Sequence, residues 1–296
     1  MRYDSITLDS FHTAWLPASI QAAMLRLDKI HPEISGNKWF KLKENINAAI
    51  AQGRTGLLTY GGAYSNHIAA TAMACKEAGL AATGIIRGEE NGAKLNHTLQ
   101  TAASLGMELL FVTREDYRNP ALKAHWEALY PQYLAVPEGG HNALGAKGCE
   151  EIISIFPTTH FTHILCAAGT GTTLAGLINS AQPHQRVTGV SVLKGAQYLE
   201  QEVRDLLHAG NTTPWELLHD HHGGGYAKQS PALIDFINTF YTDTGIPTDI
   251  IYTGKLVMAF RELLQQGYFP ENSHVLLIHT GGLQGNLSLP PGVLSF

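Results

Sequence analysis

The sequence predicts an α/β fold of parallel sheets covered by helices, and three observations carry that expectation. Short apolar runs alternate with helix-length amphipathic stretches along nearly the whole chain. Several of these runs end in glycine or small polar residues just where a helix begins, the pattern of open parallel sheets whose ligands sit beyond the carboxyl ends of the strands. With 296 residues, 44% hydrophobic and 15% charged, the chain is long enough for two globular lobes and a large core.

Taken in order, an apolar-containing stretch at 24–27 leads through His31-Pro32 into a small-residue turn, Ser35-Gly36-Asn37. From 39 to 50, Phe40, Leu42, Ile46, Ala49 and Ile50 recur at helical spacing. The run 56–60 reads as a strand and 65–78 as the helix after it; further strands are expected at 82–86, 108–112, 133–136, 163–167, 187–192 and 274–279. Helical patterns follow at 174–178 and from Leu256 through Phe260, the latter after an apolar run that closes at Asp249-Ile250-Ile251 and reads as a strand end. No repeat, low-complexity tract or single linker divides the chain, so two lobes imply that it leaves one and returns to it.

Formal charge is −5 and Lys/Arg do not gather into a basic face, which argues against nucleic acid and for a small-molecule ligand. The composition is that of neither a disordered nor a membrane-spanning chain. Cys75, Cys149 and Cys166 are odd in number and lack metal-type spacing, and no basic-then-apolar leader is seen, so a reducing cytoplasm is expected.

Lys38 stands in the glycine-marked turn where a helix begins. The positive end of the peptide dipoles and the like charges of Lys41 and Lys43 disfavour its ammonium and favour a nucleophilic amine, which makes it a candidate aldehyde-binding lysine. In isolation an Asn-Lys pair is more often a solvated lysine at a helix start. The segment Gly169-Thr170-Gly171-Thr172-Thr173 follows the run ending in Cys166-Ala167-Ala168 and opens a helix, so glycine-exposed amides, hydroxyls and a helix N-terminus converge as a phosphate cradle. It lacks the lysine of a Walker loop and the glycine spacing of a dinucleotide fingerprint, which favours a single terminal phosphate. Tyr60-Gly61-Gly62-Ala63-Tyr64-Ser65-Asn66-His67 opens another helix; Ser65 alone would serve as a cap, while Ser65, Asn66 and His67 together offer a hydroxyl, an amide and an imidazole to a substrate and cofactor edge. Tyr252 in Tyr252-Thr253-Gly254-Lys255 is a candidate proton donor at a helix start, and Thr280 in His279-Thr280-Gly281-Gly282 follows the last strand.

In order and wording these segments resemble the pyridoxal-phosphate enzymes of the tryptophan-synthase β-like fold, and within them the D-cysteine desulfhydrase and 1-aminocyclopropane-1-carboxylate (ACC) deaminase group. Ser-Gly-Asn-Lys-x-x-Lys-Leu at 35–42, Gly-Gly-x-x-Ser-Asn-His at 61–67, Gly-Thr-Gly-Thr-Thr at 169–173, Tyr-Thr-Gly-Lys at 252–255 and His-Thr-Gly-Gly at 279–282 carry the likeness. The resemblance implies two open twisted, mainly parallel sheets flanked by helices, a discontinuous large cofactor-binding domain at 1–52 and 148–296, and a small substrate-side domain at 53–147. It further implies pyridoxal 5'-phosphate as cofactor, a small amino acid as substrate, and a homodimer without nucleic-acid or membrane partners.

Residue by residue, the resemblance gives Lys38 the covalent hold on the cofactor aldehyde, Asn66 a hydrogen bond to the ring hydroxyl, Gly169, Thr170, Gly171, Thr172 and Thr173 the phosphate, and Thr280 the pyridine nitrogen. Ser65 would lie near the substrate carboxylate or act on its carbon skeleton, with His67 beside it. Tyr252 would share proton transfer and Tyr226, in Gly223-Gly224-Gly225-Tyr226, would support the site. The implied reaction is α-proton removal by Lys38, loss of a β-substituent, and hydrolysis to a 2-oxo acid and ammonia. ACC deaminase carries Tyr-Glu where this chain has Tyr252-Thr253, so D-cysteine desulfhydrase-like elimination is favoured over ACC deamination. Two other classes stay open, a catalytically idle pyridoxal-phosphate-binding regulatory protein and a nucleotide-binding protein.

The chain departs from its group in being somewhat shorter, in Phe40 where arginine is usual, and in Glu138-Gly139-Gly140-His141 in place of a more neutral glycine loop. His219-Asp220-His221-His222 lacks an i, i+4 histidine pair and reads as a solvated loop rather than a metal site.

Overall fold

The apolar runs at 56–62, 163–168 and 274–279 fold into strands buried on both faces, as parallel strands covered by helices must be, while 108–112 and 133–136 form half-buried edge strands. In the segment His274–His279 every residue after the first is buried. The computed structural model describes residues 1–296, the side chain of Asn91 aside. Its strands are β1 (Leu8–Ser10), β2 (Gln21–Arg26), β3 (Gly56–Gly62), β4 (Ala81–Arg87), β5 (Glu108–Val112), β6 (Tyr133–Val136), β7 (His163–Ala168), β8 (Arg186–Ser191), β9 (Trp215–Leu218) and β10 (His274–His279). Its helices are α1 (Asn37–Ala51), α2 (Asn66–Ala78), α3 (His97–Ser104), α4 (Pro120–Leu129), α5 (Ala143–Cys149), α6 (Thr172–Ser180), α7 (Leu199–Arg204), α8 (Pro231–Thr244) and α9 (Thr253–Gln265).

The chain divides into two compact units, Met1–Asn37 with Cys149–Phe296, and Lys38–Gly148. The first boundary falls inside the opening turn of α1, between Asn37 and Lys38.

The larger unit holds a six-stranded sheet in the order β1-β2-β10-β7-β8-β9, parallel except for β1 against β2. In its central strand Leu277 pairs with Met24 on one side and Leu165 on the other. The core on one face of the sheet is aromatic: Phe11 meets Phe240 edge-on at 5.3 Å between centroids, and Phe260 meets Phe269 at 5.4 Å. Helix α6 presses on β8 so closely that a Cβ at Gly189 would stand 2.4 Å from Leu174 Cδ2, which is why a strand position here holds glycine. Because β7 and β10 are parallel neighbours, the segments leaving their carboxyl ends, 169–173 and 280–282, emerge at one edge of the sheet.

The smaller unit holds a four-stranded, wholly parallel sheet ordered β5-β4-β3-β6. Its packing joins Leu58, Tyr60 and Ile85 to Tyr117 and Trp126. Helix α2 buries most of its length from His67 to Cys75.

One expectation is corrected. The apolar run ending at Asp249-Ile250-Ile251 is a turn, not a strand end. The Asp249 carboxylate accepts the backbone N–H of Tyr252 and of Thr253, which bends the chain tightly into α9 and leaves no extended partner for these residues.

Candidate active site

In the larger unit, the turn from β7 into α6 gathers backbone amides and hydroxyls. Gly171 takes a left-handed φ of 76° at the N-cap, where it offers no side-chain oxygen, and the first turn of α6 holds no acidic residue. The hydroxyls of Thr170 and Thr172 lie 3.1 Å apart. Thr172 and Thr173 are buried, and Thr173 Oγ1 accepts a 2.7 Å hydrogen bond from the Asn37 amide, the residue before Lys38 in the chain. A Cβ at Gly169 would come within 3.2 Å of the Tyr252 ring, so the glycine backbone and the phenol lie side by side. Backbone amides at a helix start, hydroxyls, and no competing carboxylate fit a phosphate group.

Thr280 is buried at the end of β10, and its carbonyl accepts from the Asn37 N–H at 3.2 Å. Gly36, at a φ of 69°, lies against it. His279 is wholly buried and donates from Nε2 to the Pro247 carbonyl, while its Nδ1 accepts the Gly281 N–H at 3.2 Å. The same Nδ1 lies 3.3 Å from Asp28 Oδ1; burial lowers the pKa of the ring, and of the nearby charges Asp28 opposes that shift while Arg26 adds to it. Tyr226 is 42% exposed and meets Tyr252 edge-on at 6.1 Å between ring centroids.

Asp249 is fully buried beneath the first turn of α9; burial pushes its carboxyl up to about 7, against the backbone bonds from Thr253 and Tyr252. Thr253 completes a reciprocal cap, its Oγ1 accepting the Asp249 N–H at 2.9 Å.

In the smaller unit, Lys38 lies in the first turn of α1, and Ser65, Asn66 and His67 surround the start of α2. Ser65 occupies the N-cap position, yet its side chain makes no capping bond. His67 is 1% exposed. Thr59 Oγ1 donates to the Val136 carbonyl at 2.8 Å and therefore accepts from His67 Nε2 at 2.9 Å. That leaves His67 Nδ1 a bare acceptor, buried and with no hydrogen-bond partner among the described residues. Burial lowers the pKa of this ring far below its usual range, and the charges of Lys38 and Lys41 act in the same direction.

The structure thus brings Gly169, Tyr252 and Tyr226 together in one unit, along with Thr173 and the Asn37-Thr280 clasp, and Lys38 and His67 together in the other. In the sequence reading Asn37, Thr59 and Asp249 had no role of their own. Asn37 had a signal, a short polar residue in the helix-opening turn; the partners of Thr59 and Asp249 are set by tertiary packing. The histidine segment 219–222 is tied down by carboxylates, His219 to Glu200 at 3.2 Å and His221 to Glu262 at 2.6 Å.

A family model described as pyridoxal-phosphate dependent enzyme matches residues 18–281. A Thermotoga maritima protein provisionally named 1-aminocyclopropane-1-carboxylate deaminase is 32% identical over 271 residues, 85% of each chain. The Arabidopsis thaliana protein named bifunctional D-cysteine desulfhydrase/1-aminocyclopropane-1-carboxylate deaminase is 29% identical over 91% of this chain and 74% of its own. A crystal structure of an ACC deaminase homologue superimposes with a TM-score of 0.81 over 95% of this chain and 90% of that one at 24% identity, a likeness of fold.

Proposed function

Since the chain belongs to the pyridoxal-phosphate dependent enzymes, we propose that it removes the β-substituent of a small amino acid, D-cysteine first, to give pyruvate, sulfide and ammonia. When bound, the cofactor supplies the electron sink for the carbanion. The rest falls to side chains. Lys38 Nζ would hold the cofactor aldehyde and would serve as the base that accepts the substrate's α-proton. Thr170 and Thr172 with the amides of Gly169, Gly171 and Thr173 take the phosphate, Asn66 the ring hydroxyl, and Thr280 the pyridine nitrogen. The neutral hydroxyl of Thr280 leaves that nitrogen less protonated than a carboxylate would, which suits elimination. Ser65 orients the substrate carboxylate, an assignment supported by a hydroxyl not spent on capping α2. Tyr252 and Tyr226 serve proton transfer at the β-carbon side, and His67 lines the substrate edge.

The observation that carries the choice of elimination over ACC ring opening is Thr253. It is fully buried and committed to Asp249 through both its amide and its hydroxyl, so the position after Tyr252 offers the substrate no carboxylate. We further assign the chain to a homodimer, by likeness to its group, and to a reducing cytoplasm, which the three buried thiols support. Among the described residues no helix is long and apolar enough to cross a membrane.

The test is release of pyruvate, sulfide and ammonia by the holoenzyme from D-cysteine, L-cysteine, D-serine and ACC. D-Cysteine turns over fastest and Lys38→Ala abolishes all release. Equal turnover of ACC would overturn the argument from Thr253, and a cofactor-loaded protein producing no 2-oxo acid would identify an idle binding protein.

A further inference from the structure

Lys255 is an anomaly that the reaction above does not use. It lies in the first turn of α9, where the helix dipole is unfavourable to a cation, and it is 2% exposed. Burial pulls its ammonium down to about 8, with Asp249 opposing the fall, so at neutral pH it is still chiefly a cation. A buried charge placed at the wrong end of a helix weakens that helix, and its use is found in what it holds.

Its Nζ donates at 2.7 Å to the carbonyl of Gly225. The stem runs along the preceding turn, with Cε 3.4 Å from where a Cβ on Gly223 would stand. Gly223, Gly224 and Gly225 have φ values of 58°, 92° and 121°, a succession that glycine alone adopts readily, and it turns the Gly225 carbonyl inward. The next residue is Tyr226, whose ring stands edge-on to Tyr252, and Tyr252 lies just before the helical turn that carries Lys255. One lysine therefore closes a ring of contacts from α9 to the glycine turn, to Tyr226, to Tyr252 and back to α9. The turn is rich in glycine and exposed at Gly223 and Gly224; its other bonds, from the Gly225 N–H to the His222 carbonyl, the Gly224 N–H to His222 Nδ1 and the Lys228 N–H to the Gly225 carbonyl, are local, whereas the Lys255 bond ties it to α9.

We propose that Lys255 is a positioning residue for the tyrosine pair, its bond to the Gly225 carbonyl fixing the 223–226 turn so that Tyr226 is presented to Tyr252. This rests on the elimination reading only for its catalytic consequence. The clasp itself is a property of the fold.

The experiment therefore has two arms. In cofactor-free and loaded protein, tryptic cleavage after the exposed Lys228 is followed by mass spectrometry in wild type, Lys255→Met and Lys255→Arg. Met keeps the stem and loses the donor; its cleavage after Lys228 rises about tenfold, while Arg, which keeps a donor, stays within about twofold of wild type. In the holoenzyme, Lys255→Met lowers kcat for D-cysteine about tenfold with KM within about twofold, and adds no further loss in a Tyr226→Ala background. Lys255→Gln replaces Met in both arms if Met does not fold. Cleavage at the wild-type rate, or kcat losses that multiply with Tyr226→Ala, would overturn the proposal. If the wild type turns over no amino acid, the elimination reading fails and the cleavage arm still decides on the clasp.

Discussion

Helix α6 begins at a glycine with no side chain to cap it, whereas α9, in the same unit, begins under the carboxylate of Asp249, which accepts the amides of Tyr252 and Thr253. Both helix starts concentrate backbone N–H groups and a partial positive charge. At α9 the chain supplies its own acceptor, the Asp249 carboxyl, and buries it. At α6 it supplies hydroxyls and a left-handed glycine but no acid, the arrangement expected where the anion comes from outside. The difference supports the proposal that the α6 start takes a phosphate, while the α9 start is satisfied from within the chain.

Giving α6 an acid of its own breaks the distinction most severely. Thr170→Asp places a carboxylate at the nest and weakens pyridoxal-phosphate binding on the order of a thousandfold, about 4 kcal/mol, in absorbance titration of the cofactor-free protein. Wild-type affinity would mean that the phosphate is held elsewhere.

The acid at α9 is probed through pH. The folded chain keeps a proton on Asp249 up to about 7, while the unfolded chain loses it near 3.8. Between these values the folded state binds more protons, so this group's contribution to stability declines as pH rises through that window. Asp249→Asn has nothing to titrate there, and in urea unfolding it gains about 3 kcal/mol relative to wild type between pH 4 and 7. A variant that loses ground instead would show the amides holding the carboxylate ionised.

A smaller effect sharpens the α6 side. Thr173→Val removes the hydroxyl to which the buried Asn37 amide donates and costs about 1 kcal/mol in the same unfolding assay. The smallest is at α2: Ser65→Ala changes stability by less than about 0.5 kcal/mol, because no capping bond is lost, while turnover falls at least about tenfold. A loss of stability as large as that of Thr173→Val would make Ser65 a cap.

Much of this was legible in the residues. The runs 108–112, 133–136 and 274–279 became strands with the expected limits, because apolar or β-branched residues fill them between clear breaks. Leu8–Ser10 and Trp215–Leu218 escaped notice, since three or four residues hold too little pattern, and Gln21–Arg26 showed only as an apolar-containing stretch. Asp249-Ile250-Ile251 misled because two isoleucines look like a strand end until an aspartate's side-chain bonds to the backbone are considered. At the site, glycine and polar turns marked both helix starts. The tautomer of His67, set by Thr59 and Val136, and the bond from Lys255 to Gly225 join residues far apart in the chain, and no local pattern announces them.

Gly36 bears on how this chain can be re-engineered. A Cβ there would stand 1.9 Å from the Thr280 carbonyl oxygen, with a φ that side chains avoid. Directed evolution toward new substrates can vary much of the neighbourhood, but codon 36 is closed to it. Sequencing the survivors of a library randomised over 35–39 should return glycine at that position whichever amino acid was used for selection.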